Sequence, residues 1–136
     1  MDFEKEINNW LNTVQNISDL SLSEKEKITN EGAKVFQKEL AETTKRLHYS
    51  DSENPKEGHM ADNVIVKKGE NGTALVGFKG IHALKAMWLN DGTKKIKADH
   101  FVTNLQNSDE VKQKVFKAEK EIYDQIIERR SNAINN

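Results

Sequence analysis

The chain has 136 residues, of which 32% are charged and 35% hydrophobic, enough for one compact domain with a thin core and too apolar for a disordered chain. Lys and Arg number 21 against 22 Asp and Glu, so the formal net charge is -1, without the basic excess of a general DNA-binding surface. There is no cysteine, which excludes disulfides, zinc–thiolate sites and cysteine nucleophiles.

The opening residues, MDFEKEINNW, are acidic and hold no apolar run, so they do not read as a signal peptide. No stretch approaches the roughly 20 apolar residues that span a bilayer. A soluble single domain over residues 1–136 with no membrane contact is the expectation. Phe3, Ile7, Trp10, Val14 and Ile17 step by four and three, which predicts a helix over residues 2–17. Asn8, Asn9, Asn12 and Asn16 weaken it. This helix and its connector, residues 1–22, are expected to be mobile, and Trp10 is a candidate docking residue for another subunit.

Ser23 and Glu26 fit a capping box, predicting a second helix that runs to His48. Its inward face reads Ile28, Gly32, Val35, Phe36, Leu40, Thr43 and Leu47. Glycine inside a helix costs stability relative to alanine, so Gly32 suggests close approach by another element. Residues 48–60 form a polar loop around Pro55, the only proline.

Two β-rich runs, residues 61–68 and 73–79, flank GENG and read as a hairpin. Ala74, Val76 and Phe78 share one of its faces. Ile81, Leu84, Met87 and Trp88 are spaced for a short helix over residues 81–90. After a glycine turn, KKIKA (residues 94–98) suits a short third strand, and Asp99 caps a helical turn over residues 100–105.

Ser108 is placed to cap the last helix, with Asp109 and Glu110 at its positive end and Arg129 and Arg130 at the other. Val111, Val115, Ala118, Ile122 and Ile126 form its stripe, and residues 131–136 are expected to fray. The fold class predicted is α+β: two N-terminal helices, a hairpin extended to a small antiparallel sheet, a short helix, and a long C-terminal helix packed on the sheet.

The segment WLNDGTKKIKADHF is the densest in chemically capable side chains. Asp91, Asp99 and His100 could be imagined as a metal cluster, but a turn residue, a helix cap and an exposed histidine explain them equally. His48, His59, His82 and His100 lack the close helical spacing of a metal pair. No Gly-x-Ser-x-Gly elbow, P-loop or dinucleotide glycine pattern is present. No enzyme activity, cofactor or metal is therefore expected. Lys94, Lys95 and Lys97 could touch a phosphate backbone or an acidic partner, or could simply guard a solvated strand edge. With Lys67, Lys68 and Lys79 they would make a lysine-rich sheet edge, the alternative reading being a small nucleic-acid-binding protein.

The same segment resembles the signature of the siphophage tail-completion, or head–tail joining, family. The matching positions are Trp88, Leu89, Asn90, Asp91, Gly92, Thr93, Lys94, Lys95, Ala98 and Phe101. Upstream, ENPKEGHMADNVIV fits the family's proline, glycine, apolar residue and strand, with Pro55, Gly58 and Met60. His100 stands where many members have proline, and Asp91 where many have phenylalanine.

The resemblance covers about residues 24–127. It implies a virion structural protein without catalysis, placed at the head–tail interface of a phage or prophage of Gram-positive bacteria and made in the host cytoplasm. Copies would form a ring, six-fold, between the capsid connector or stopper and the tail tube or tail terminator. DNA would pass through the ring without specific binding. Trp88, Asp91, Gly92, Thr93, Ala98 and Phe101 would carry the fold signature, with Trp10, Lys94, Lys95 and Lys97 as candidate docking residues.

Overall fold

The computed structural model describes Lys5, residues 20–49 and residues 58–135. The predicted helix over residues 2–17, Trp10, and most of the loop around Pro55 lie outside the described residues.

Helix α1, Leu22–His48, is the spine. Its capping box is formed by Ser21 and Glu24, two residues before the expected Ser23 and Glu26. The Ser21 hydroxyl accepts from the Glu24 N–H at 3.1 Å, and the Glu24 carboxylate accepts from the Ser21 N–H at 2.9 Å. Glu24 also takes a guanidinium hydrogen bond from Arg130, which ties the start of this helix to the last helix of the chain. The Ser21 backbone bond, and then Arg130, hold the Glu24 carboxyl below the usual glutamate range.

The inward face of α1 buries Ile28, Gly32, Ala33, Leu40 and Thr44. Thr44 takes the place expected for Thr43, and its hydroxyl donates back to the Leu40 carbonyl at 2.7 Å, which removes the cost of burying it. Leu47 points outward.

A single 3-10 turn, Met60–Asn63, leads into strand β1, Val64–Lys68, which pairs antiparallel with β2, Ala74–Phe78. The register opposes Val64 to Phe78 and Lys68 to Ala74. Two side chains of α1 hold the hairpin: Gln37 donates to the Val64 carbonyl at 2.8 Å, and Thr29 donates to the Gly72 carbonyl at 2.7 Å. Helix α2, Ile81–Asp91, follows, then α3, Phe101–Gln106, and α4, Asp109–Asn135. The fold is α+β, as expected.

Two further details differ from the sequence reading. The sheet has two strands, because residues 94–98 form a turn instead of a third strand. The Thr93 hydroxyl accepts from the Lys95 and Ile96 N–H groups at 3.2 and 3.0 Å, consuming donors that a strand would need. The long C-terminal helix lies principally along α1, not on the sheet. That helix runs from Asp109 to Asn135.

Two apolar clusters result. Leu40, Met60, Val64, Ala86 and Phe101 form the main one, between α1, the hairpin, α2 and α3. Leu20, Ile28 and Ile126 form the second, between α1 and α4.

Gly32 explains how α4 approaches α1. A methyl group on residue 32 would overlap the Glu119 carboxyl, so the glycine makes room for that side chain. Burial pushes the Glu119 carboxyl up to about 7. The folded chain therefore keeps a proton that the unfolded chain has released, and this contribution to stability is present below the ordinary glutamate value and lost as pH rises through about 7. In urea unfolding at pH 5 and pH 8, Glu119→Gln should flatten this part of the pH dependence and match or exceed the parent midpoint at the higher pH. A variant with the parent's full pH slope would contradict this.

Candidate functional site

The joint between α2 and α3 carries nearly every residue singled out by the sequence. Helix α2 ends at Gly92, whose N–H closes the last turn onto the Trp88 carbonyl at 2.8 Å. Gly92 has φ +84° and ψ 164°, a region open essentially to glycine alone. A Cβ there would lie 3.0 Å from the Ala98 nitrogen and 3.1 Å from the Ala98 methyl. The turn over residues 93–98 then folds back on the end of α2. Thr93 N–H donates to the Ile96 carbonyl at 2.8 Å, and Asp99 N–H reaches the Leu89 carbonyl at 3.0 Å.

Asn90 is the hub of the joint. Its Oδ1 accepts from the N–H groups of Val102 and Thr103 at 2.9 and 3.0 Å, while its amide donates to the Thr103 hydroxyl at 3.0 Å. Those two N–H groups belong to the first turn of α3 and would otherwise have no intrahelical acceptor. One side chain from α2 thus caps α3 and sets the angle between the helices.

Asp99 assists, as expected of a cap, by accepting from the Phe101 N–H at 3.0 Å. It also meets His48 at the end of α1, with 2.7 Å between Oδ2 and Nε2. The His48 ring lies edge-on to Phe101, their centroids 4.7 Å apart. Phe101 is 2% exposed and anchors α3 in the main core. His100 precedes it with φ +57°, in the left-handed region. Proline, which the resemblance leads one to expect here, fixes φ near -65° and could not adopt that conformation.

The other expected residues lie as follows. Ala98 is half-buried beneath Gly92, and Thr93 caps its own turn. Asp91 is exposed, with its carboxylate on the Asn90 amide at 2.9 Å. Asp91, Asp99 and His100 do not converge, and no group of three His, Asp or Glu able to hold a metal occurs among the described residues. Lys94, Lys95 and Lys97 are exposed on the turn and form no strand of the sheet, so they do not extend its edge as the lysine-rich reading expected.

Trp88 is 39% exposed. It belongs to an outward stripe on α2 with Ile81 at 43%, Leu84 at 39% and Met87 at 49% exposure. The inward side of α2 buries only His82 and Ala86, a small contact for the main core. The spacing predicted the helix, and its larger side chains face out.

Beside this joint a groove runs between α1, α4 and the hairpin, with a volume of about 450 Å³. Phe36, Val76 and Gln106 line it and also line a second depression of about 260 Å³ that reaches Met87. Glu119 was overlooked in the sequence, because a glutamate beside an apolar stripe reads as solvated surface.

The geometry predicts two graded losses of stability. Gly92→Val should lower the unfolding free energy by about 2 kcal/mol or more, through backbone strain and contact with residue 98. Asn90→Ala should cost about 1 kcal/mol, the usual cost of losing a helix cap. Urea denaturation of both variants checks this, and an unchanged midpoint for Gly92→Val would refute the turn geometry.

Comparisons with known proteins bear on this arrangement. The family described as "Bacteriophage HK97-gp10, putative tail-component" matches residues 9–92, from before α1 to Gly92 at the end of α2. Searches of curated proteins and of solved structures return no match. No helix among the described residues is long and apolar enough to cross a membrane. The match covers more than half of the chain, and the protein belongs to the HK97-gp10-like family of bacteriophage tail components.

Proposed function

We propose that this tail component completes the tail and joins it to the head. In this reading copies assemble into a ring, six-fold, between the capsid connector or stopper and the tail tube or terminator. DNA passes through the ring, and the protein works by contact without catalysis.

The observation that carries the reading is the outward face of α2. Ile81, Leu84, Met87 and Trp88 put four large apolar side chains on one exposed helix surface. Contiguous exposed apolar surface on a small domain marks a protein contact. Tryptophan and methionine are enriched in the centres of such contacts. The stripe is held in place by Asn90, Gly92 and the buried Phe101, so it is presented on a fixed element. The near-neutral charge suits a protein that meets other proteins while DNA slides past without adhesion.

Phage particles made without this protein should accumulate as full heads and separate finished tails under electron microscopy. Leu84→Asp combined with Trp88→Asp should give the same phenotype, with the purified variant keeping the parent's circular dichroism. Joined, infectious virions in the absence of the protein would overturn the reading.

A further inference from the structure

Glu119 projects from α4 into the groove, and its carboxyl occupies the space that Gly32 leaves on α1. Among the described residues it is the one ionisable side chain lining that groove. Its surroundings are α1 through Thr29, Ala33 and Phe36, the hairpin through Leu75 and Val76, and α3 through Gln106. Among the described residues no cation and no donor meets the carboxyl, and burial is the only influence acting on it. The neighbouring groove between α1 and the hairpin differs, because its Glu26 is paired with Lys68 at 3.4 Å.

Two costs therefore coincide at one place. Glycine in mid-helix forfeits about 1 kcal/mol relative to alanine. A carboxylate taken from water without a partner is also unfavourable. The glycine lets α4 approach α1, but the carboxyl seated there finds no polar partner among the described residues. A site that holds a half-buried acid ready for an external cation accounts for both.

A second observation supplies the partner. Lys94, Lys95 and Lys97 stand exposed on the turn after α2, and among the described residues none of them has an ion pair. The Thr93 hydroxyl holds that turn in shape, so the three ammonium groups are presented outward on a fixed loop.

We propose that the groove is the receiving half of the contact between neighbouring copies, taking a lysine from the 94–97 turn of the next copy, with the ammonium seated on the Glu119 carboxylate. This rests on the ring reading given above and names the joint within it. The lysine stem would lie along Phe36 and Val76 while its charge reaches the acid, as long cationic side chains do on apolar surface. Leu75, 59% exposed at the rim, adds apolar area. The two halves are different surfaces of one chain, so the contact is head-to-tail, the kind that closes into a ring.

The absence of native cysteine makes disulfide trapping specific. Gln106→Cys at the groove rim and Lys94→Cys on the turn leave Glu119 and two of the three lysines intact. In assembled tails the double variant, oxidised, should give a ladder of linked copies, and each single variant should remain unlinked. Adding Glu119→Gln should lower the linked fraction about tenfold, the scale of one charged hydrogen bond. Its circular dichroism and unfolding midpoint should stay at or above the parent's.

Symmetric dimers from either single variant, or an undiminished ladder with Glu119→Gln, would overturn the proposal. A lysine-reactive cross-linker applied to the same tails separates the two readings. Links between copies at other positions, without the 94–106 link, sink the groove contact and leave the ring. No links between copies of the chain sink both.

Discussion

The architecture turns on one side chain between two helices. Asn90 accepts from the two free N–H groups at the start of α3 while its own backbone belongs to α2. That pair of bonds fixes how α2 leaves the core and how Phe101 enters it. Gly92 makes the bond geometry reachable, because the chain must reverse within a few residues and only glycine accepts that backbone conformation cheaply. Asp99 then ties the joint to the end of α1 through His48. Loss of any of these would loosen α2 and the turn that follows it, which are the parts that reach outward.

The distribution of apolar side chains follows from that constraint. Once α2 is set at its angle, its narrow inward side accommodates Ala86 and His82, and the bulkier Leu84, Met87 and Trp88 are left outside. The domain is small, and its described core divides into two modest clusters, one around Leu40 and one around Ile28 of α1. Helix α4 completes one of them and leaves a groove against the hairpin. Assembly with other proteins would cover the surfaces that the single chain leaves open.

Much of this was legible in the sequence, for reasons that can be named. The apolar stripes of α1 and α4, the glycine-bounded hairpin and the Asp99 cap are local patterns, and Gly32 gave a correct sign of close approach. The errors are instructive. Both Ser21–Glu24 and Ser23–Glu26 satisfy the same four-residue pattern; Ser21 and Glu24 form the box, and Glu24 also meets Arg130, more than a hundred positions away. Lysines and isoleucine at 94–97 suit a strand, but the Thr93 hydroxyl bonds the turn first. Helical spacing places Ile81, Leu84, Met87 and Trp88 on one face without saying whether that face looks in or out. Asn90 as a cap and Glu119 as a half-buried acid depend on contacts between separate elements, so no local signal could reveal them.

The central claim is that the outward face of α2 is a contact surface in the assembled tail. Hydroxyl-radical footprinting tests it directly, because Met87 and Trp88 are both reactive and both exposed in the single chain. The account predicts rapid oxidation of both residues in the free protein and strong protection in assembled particles. Equal oxidation in the two states would contradict it.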